Sequence, residues 1–229
     1  MPRRARSIEG GYAYHVLNRA NAQATLFRKD ADYEAFERIL EEACEREPLR
    51  ILAYCVMPNH WHLVVWPRVG EDRLVSEFMR WLTVTHVQRC HAHRRTSGTG
   101  SLYQGRFKAF PIQADEHLYA VLRYVERNPL RANLVARAEM WKWSSLWRTC
   151  RGNDSICKLL SPWPVPRPQD WVVRVNRAQS EAELTALRRS VRRGQPFGSE
   201  RWTQLLVSRL GLDHTIRDRG RPRKAAEEK

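Results

Sequence analysis

The sequence predicts an α+β fold: a ferredoxin-like (split βαβ) antiparallel sheet with helices on one face, followed by a mostly helical or irregular C-terminal extension. Short β-branched and aromatic segments alternate with segments whose apolar residues recur at helical spacing, in the order β-α-β-β-α-β-α. A Met-Pro-Asn turn between the second and third strands indicates a hairpin.

The strands are predicted at residues 12–17, 49–56, 60–66 and 104–112. The first helix is predicted from Asp30 or Asp32 to about Glu47, before Pro48, and the second over residues 74–91. The third helix begins at Asp115 and ends at Asn128, because Pro129 disfavours the helical conformation in the residue before it.

Composition changes after about residue 150, which predicts three parts. Residues 1–150 form the main domain, residues 151–195 a Pro-rich linker and a charged helix, and residues 196–229 a basic extension with a further helix at 201–210. In the tail, Arg219 and Arg221 flank a glycine in an Arg-Gly-Arg-Pro run that resembles an AT-hook core, which binds the minor groove. The alternatives are a general electrostatic anchor and a disordered solvated end.

The charge of the chain indicates a polyanionic partner. Lys and Arg number 40 against 25 Asp and Glu, a formal net charge of +15, and arginine supplies most of it. The planar guanidinium group of arginine suits hydrogen bonding to phosphates and base edges, so nucleic acid is the expected partner. No apolar run approaches 18 residues, and the five cysteines form no C-x-x-C pair, so we expect no membrane partner and a reduced, cytoplasmic protein.

A His-Trp-His triplet on the third predicted strand is the first candidate for chemistry. Residues two apart in a strand point to the same face, so His60 and His62 present two imidazoles side by side and Trp61 points into the core. That spacing suits one divalent metal ion; the alternative is two ordinary strand histidines. A rival set on the second helix is interpreted as a basic helix end: His86, Cys90, His91 and His93.

The third helix carries the second candidate. Its apolar stripe leaves Tyr124 at one edge, and Asn128 follows one turn later on nearly the same line. Tyr119 competes but lies on the opposite flank, and His117 is either a spectator or a proton shuttle. If this helix covers the strand of the two histidines, two imidazoles and one amide oxygen converge on a Mg²⁺ or Mn²⁺ ion beside the phenol. The phenol then attacks phosphorus and forms a covalent phosphotyrosine.

Five separated motifs together resemble one family, the REP-associated tyrosine transposases, bacterial relatives of the single-tyrosine HUH transposases. The motifs are YHVLNR at 14–19, MPNHWHL at 57–63, LYQGRFK at 102–108, YVERNPLRA at 124–132 and WKWSS at 141–145. Their order and spacing agree over roughly residues 8–150. Relatives commonly have Gln at the place of Asn128, which is shorter by one methylene.

The resemblance implies a bacterial, nucleoid-associated, metal-dependent nuclease and strand transferase that acts on single-stranded DNA folded into palindromic hairpins, as a monomer or a homodimer. It makes residues 1–150 an HUH-type catalytic domain, with His60 and His62 as metal ligands, Tyr124 as nucleophile and Asn128 as third ligand. The alternatives are a non-catalytic hairpin-binding protein derived from such a transposase and a metal-dependent RNA nuclease.

Basic residues around these motifs predict the DNA-binding surface. Arg106 and Lys108 alternate with Phe107 on the fourth strand, which fits phosphate contacts over a packed core or, alternatively, a charge-protected edge strand. Arg127 and Arg131 flank the tyrosine and are expected to clamp phosphates, and Arg19 is a further expected contact.

Overall fold

The structure of the chain is a computed structural model that describes residues 7–151 and 159–217. Four strands form one antiparallel sheet in the order β2-β3-β1-β4. They span Ala13–Arg19 (β1), Ile51–Met57 (β2), His60–Val65 (β3) and Lys108–Ile112 (β4). This confirms the predicted α+β class and the hairpin, and the strand order is consistent with a ferredoxin-like sheet.

Two long helices cover one face of the sheet. They are α1, Asp30–Arg46, and α2, Leu74–Arg94. Trp61 and Leu63 of β3 point towards them and are completely buried in the same hydrophobic cluster. Because side chains alternate along a strand, His60, His62 and Val64 lie on the opposite face. The prediction that Trp61 points away from the histidines is therefore confirmed.

Helices cover the second face as well, where the prediction placed helices on one face only. These are α3 (Glu116–Glu126), α6 (Trp171–Asn176) and α7 (Glu181–Arg193). The cause is that the second face of the sheet carries its own apolar residues, which α3 and the C-terminal helices bury: Ala13, Ala53, Cys55, Val64 and Phe110.

The end of α3 differs from the prediction in a way that matters for the site. After Arg127 the chain enters a further helical turn, α4, Asn128–Arg131, with Pro129 in its first turn. A proline is tolerated there because the first N–H groups of a helix have no internal partner. The turn keeps Asn128 buried and directs Arg131 back towards α3.

The C-terminal region packs onto the same core. Leu160 pairs in parallel with Ile51 beside β2, and Trp163 and Trp171 join the hydrophobic cluster under α3. Phe197 donates its N–H to the carbonyl of Pro111 at 2.9 Å, next to β4. The segment expected to be a linker is therefore packed in its described part, and the core does not end at residue 150.

The remaining elements are short or peripheral. They are α5 (Ser145–Arg151), α8 (Glu200–Leu210), α9 (Asp213–Ile216) and two 3-10 helices at Asn21–Gln23 and Ala138–Met140. Across the described ranges, no helix combines the length and the apolar character that crossing a membrane requires. Arg219 and Arg221, expected to form an AT-hook-like core, lie outside the described residues.

Candidate active site

Strand β3 brings the two histidines of the triplet together beneath α3. The ring centroids of His60 and His62 are 4.8 Å apart and the rings are nearly perpendicular. His62 is 3 % exposed, whereas His60 at the start of the strand is only partly buried. The pair thus lies at the end of the sheet where a ligand can approach His60 from solvent.

Helix α3 places Tyr124 against His62, the buried member of this pair. The ring of Tyr124 lies 6.0 Å from the ring of His62, edge to face, and is 7 % exposed. The competing Tyr119 lies elsewhere, since its hydroxyl donates to the carbonyl of Pro166 and its ring packs near Trp171. Of the two tyrosines of α3, Tyr124 is therefore the one that meets the histidines.

The C-terminal end of α3 is fixed from behind by Glu126. This carboxylate is 1 % exposed and accepts one hydrogen bond from Ser145 Oγ and one from Trp171 Nε1, each 2.7 Å long. Burial raises the pKa of the Glu126 carboxyl, and these two bonds counteract the rise. Glu126 therefore ties the helix that carries Tyr124 to α5 and α6, a role that no local sequence signal indicated.

Asn128 and Arg131 complete the surroundings of the tyrosine. The guanidinium carbon of Arg131 lies 4.2 Å from the ring centroid of Tyr124, and its Nη2 donates to Asn128 Oδ1 at 3.0 Å. Asn128 is 4 % exposed and its Nδ2 has no partner. Its amide oxygen keeps one lone pair after accepting the bond from Arg131. Asn128 thus lies beside Tyr124 with an incompletely bonded amide.

A third histidine, which the sequence reasoning missed, supports the pair. His15 of β1 is completely buried, and its Nε2 lies 2.8 Å from Nδ1 of His62. The signal was present in the alternation of β1, but only the pairing of β1 with β3 shows that His15 and His62 share a face. His15 can hold the ring of His62 in one orientation, as partners of metal-bound histidines do.

All three imidazoles are neutral near pH 7. Burial, and then the charges of Arg19 and Arg131, lower the pKa of His60 to about 3. Burial and the neighbouring His60 lower the pKa of His15 to about 3. Burial, followed by the other two histidines, lowers the pKa of His62 well below its ordinary value. Neutral imidazole is the form that binds a metal ion.

The donor set fits a divalent cation. His60 Nδ1 lies 2.6 Å from Asn59 Oδ1, an oxygen that only accepts, so Nδ1 carries the proton and Nε2 keeps its lone pair. His62 Nε2 is buried without a partner. Within residues 7–151 and 159–217, no three His, Cys, Asp or Glu side chains are arranged to hold a metal. A third protein ligand would therefore be of another type, such as the amide of Asn128.

The rival set on α2 has structural partners instead. His86 is 6 % exposed, stacks on Phe27 and lies 2.6 Å from the hydroxyl of Tyr103 through Nδ1. His91 Nδ1 lies 2.8 Å from the hydroxyl of Thr96. These contacts give two of the four residues, His86 and His91, hydrogen-bond partners within the protein.

The predicted DNA-binding residues divide into two groups. Arg19, Arg106, Lys108 and Arg131 line one groove of about 830 Å³, together with Tyr124. Arg106 reaches it from the loop before β4, because the strand begins at Lys108 and not at residue 104 as predicted.

Arg127 differs from the expectation of a phosphate clamp. Its Nη1 donates to the carbonyls of Val175 and Asn176 at the end of α6, and it does not line the groove. The reason is its position: it lies four residues before Arg131 but its side chain follows the flank of α3 that faces α6. Arg127 thus anchors the C-terminal region.

Comparisons with known proteins agree with this geometry. A family model described as "Transposase IS200 like" matches residues 10–128. A Haemophilus influenzae protein named as a REP-associated tyrosine transposase is 26 % identical over 120 residues, which cover 49 % of this chain and 68 % of that protein. The REP-associated tyrosine transposase of Escherichia coli K12 is 24 % identical over 141 residues, covering 62 % of this chain and 79 % of the relative.

A solved structure has the same fold. It is that of a REP-associated tyrosine transposase bound to a REP hairpin, with a TM-score of 0.54 and 20 % sequence identity. The match covers 79 % of this chain and 92 % of the other. The family match spans more than half of the chain and includes the strand with His60 and His62 and the helix with Tyr124. The chain therefore belongs to the IS200-like transposase family, in agreement with its resemblance to the REP-associated tyrosine transposases.

Proposed function

We propose that this transposase is a metal-dependent endonuclease and strand transferase for single-stranded DNA that folds into REP-like hairpins. This proposal rests on the position of Tyr124, whose ring lies 6.0 Å from the ring of His62. Tyr124 also lines the groove of Arg19, Arg106, Lys108 and Arg131. A phenol beside neutral imidazoles and a basic groove is suited to nucleophilic attack on a phosphodiester. The relative that is bound to a REP hairpin supports the choice of substrate.

In this proposal Tyr124 is the nucleophile. The phenol loses its proton, the bond between its oxygen and phosphorus forms, and the bond between phosphorus and a deoxyribose oxygen breaks. The leaving oxygen takes up a proton, and the DNA stays attached to Tyr124 as a phosphotyrosine ester. A free deoxyribose hydroxyl reverses the same exchange, which rejoins a strand without an external energy source.

His60 and His62 would hold Mg²⁺ or Mn²⁺ through their Nε2 atoms, with the amide oxygen of Asn128 as third ligand. A bound divalent ion offsets negative charge on the phosphate and leaves positions open for it. The chain's own contribution is twofold: burial keeps both rings neutral, and Asn59 and His15 orient the rings of His60 and His62 respectively. The guanidinium of Arg131 lies over the Tyr124 ring in a cation–π contact, which helps to hold the ring in place.

The test is a covalent-adduct assay with labelled hairpin DNA and Mn²⁺, resolved on a denaturing gel. The wild-type chain and Tyr119→Phe are expected to form a denaturation-resistant complex, and Tyr124→Phe to bind the DNA equally well without forming one. Tyr119 is the matched control because it lies on the same helix, outside the site. An undiminished adduct in Tyr124→Phe refutes the assignment. Binding that survives chelation, without an adduct in any variant, would instead identify a non-catalytic hairpin-binding protein.

A further inference from the structure

The groove in front of Tyr124 has a second wall, which comes from the C-terminal region. On the side of the sheet it is lined by Arg19, Arg106, Lys108 and Arg131, whereas α7 contributes Thr185, Arg188, Val191 and Arg192. Six cations therefore surround the groove, and none of its lining residues in the described chain is acidic.

Helix α7 is held firmly in this position. Leu184 and Leu187 are buried against the second face of the sheet. A capping box between Ser180 and Glu183 begins the helix, and Gly194, with φ of 74°, ends it in a left-handed conformation that suits glycine. The wall is thus a rigid part of the fold, which fixes the positions of its arginines relative to Tyr124.

The spacing of the two arginines directs them to the same side of α7. Arg188 and Arg192 are four residues apart, one helical turn, and both are exposed. Arg188 approaches the carboxylate of Glu181 at 3.8 Å, an exposed ion pair that is worth little. Two like charges one turn apart, opposite four further cations, repel each other until an anion enters the groove.

We propose that α7 is a phosphate-binding wall of the substrate site, and that Arg188 and Arg192 contact the backbone of the single strand that continues from the hairpin past Tyr124. This inference rests on the proposed function and adds to it the C-terminal helix as a DNA-binding element. The ligand chemistry follows from the lining, since the guanidinium groups of arginine suit phosphate and the partly exposed Val191 offers apolar surface to an unpaired base.

The experiment measures binding of the full-length chain to fluorescent hairpin DNA with and without a single-stranded tail, over a range of salt concentrations. The test variant is Arg188→Ala with Arg192→Ala. The matched control is Arg189→Ala with Arg201→Ala, which removes the same charge from exposed positions of α7 and α8 that do not line the groove.

For the tailed hairpin, loss of two phosphate contacts on a single strand is expected to reduce the slope of log K against log salt by about 1.4 and to weaken binding roughly tenfold at 0.15 M salt. The control is expected to stay within about twofold of wild type, and the blunt hairpin to show no difference between the variants. Equal binding by the two double variants overturns the inference, as does an equal loss on the blunt hairpin. A wild-type chain that binds the tailed hairpin but forms no adduct refutes the proposed chemistry alone.

Discussion

Lowering the pH from 7.5 to 5.0 is expected to reduce the free energy of unfolding through histidines that are buried in the neutral form. Burial lowers the pKa of His15 to about 3 and that of His86 to about 4, whereas an exposed histidine has a pKa of about 6.5. The unfolded chain therefore binds protons that the folded chain excludes. The stabilisation is complete above pH 6.5 and is lost as the pH falls towards the folded-state values.

The size of this loss of stability follows from the difference between the assay pH and the pKa of a histidine in the unfolded chain. At pH 5.0, about 1.5 pH units below it, each of these two histidines contributes a loss of about 2 kcal/mol, about 4 kcal/mol for the pair. This is a large part of the roughly 5–15 kcal/mol by which a typical protein is stable. Burial of Glu126 raises its pKa, which acts in the opposite direction, so a variant is needed to isolate the histidine effect.

The assay is urea unfolding at both pH values, followed by the fluorescence of the nine tryptophans. In His86→Gln the loss of stability on acidification is expected to be smaller than in wild type by about 2 kcal/mol. In His93→Gln, where the side chain is exposed, the loss is expected to equal that of wild type. If His86→Gln loses as much stability as wild type between the two pH values, the reasoning from burial is wrong.

Two further predictions concern contacts around the site. His15→Leu is expected to weaken Mn²⁺ binding about 10–100-fold in calorimetry, because His62 loses the partner that orients it. His15→Gln keeps a hydrogen-bond acceptor and should restore part of the affinity. Equal Mn²⁺ affinities in the two variants would contradict this role of His15. Arg148→Met is expected to lower the free energy of unfolding in urea by about 3–5 kcal/mol. In the wild-type chain the buried carboxylate of Glu37 lies 2.6 Å from the Arg148 guanidinium, and the variant leaves it without a cation. A decrease below about 1 kcal/mol would contradict this.

The sequence was sufficient for the elements that local patterns encode. The alternation around Trp61 predicted which side of β3 carries the histidines, and the helical spacing of Tyr124 and Asn128 predicted a common edge, which the structure has. These features depend on residues within one or two turns of each other, or on a strand's own period. Tertiary packing did not have to be known for any of them.

The features that sequence reasoning missed depend on long-range pairing. The apolar stripe of α3 predicts that one side of the helix is buried, but not that it covers the face of the sheet opposite α1 and α2. His15 meets His62 only through the register of β1 and β3. Arg188 lies more than 60 residues after Tyr124 in the sequence and reaches the groove only because α7 packs back against the sheet. Packing of the C-terminal region also draws the Arg127 side chain away from the groove, towards α6.

The amino acid that carries the DNA in the covalent complex identifies the nucleophile. The covalent complex, digested with nuclease and trypsin, is analysed by mass spectrometry. If Tyr124 is the nucleophile, the nucleotide is found on the four-residue peptide Tyr124-Val-Glu-Arg127, which trypsin releases by cleaving after Arg123 and Arg127. A nucleotide on the peptide of residues 109–123, which contains Tyr119, or on any serine or cysteine would contradict it.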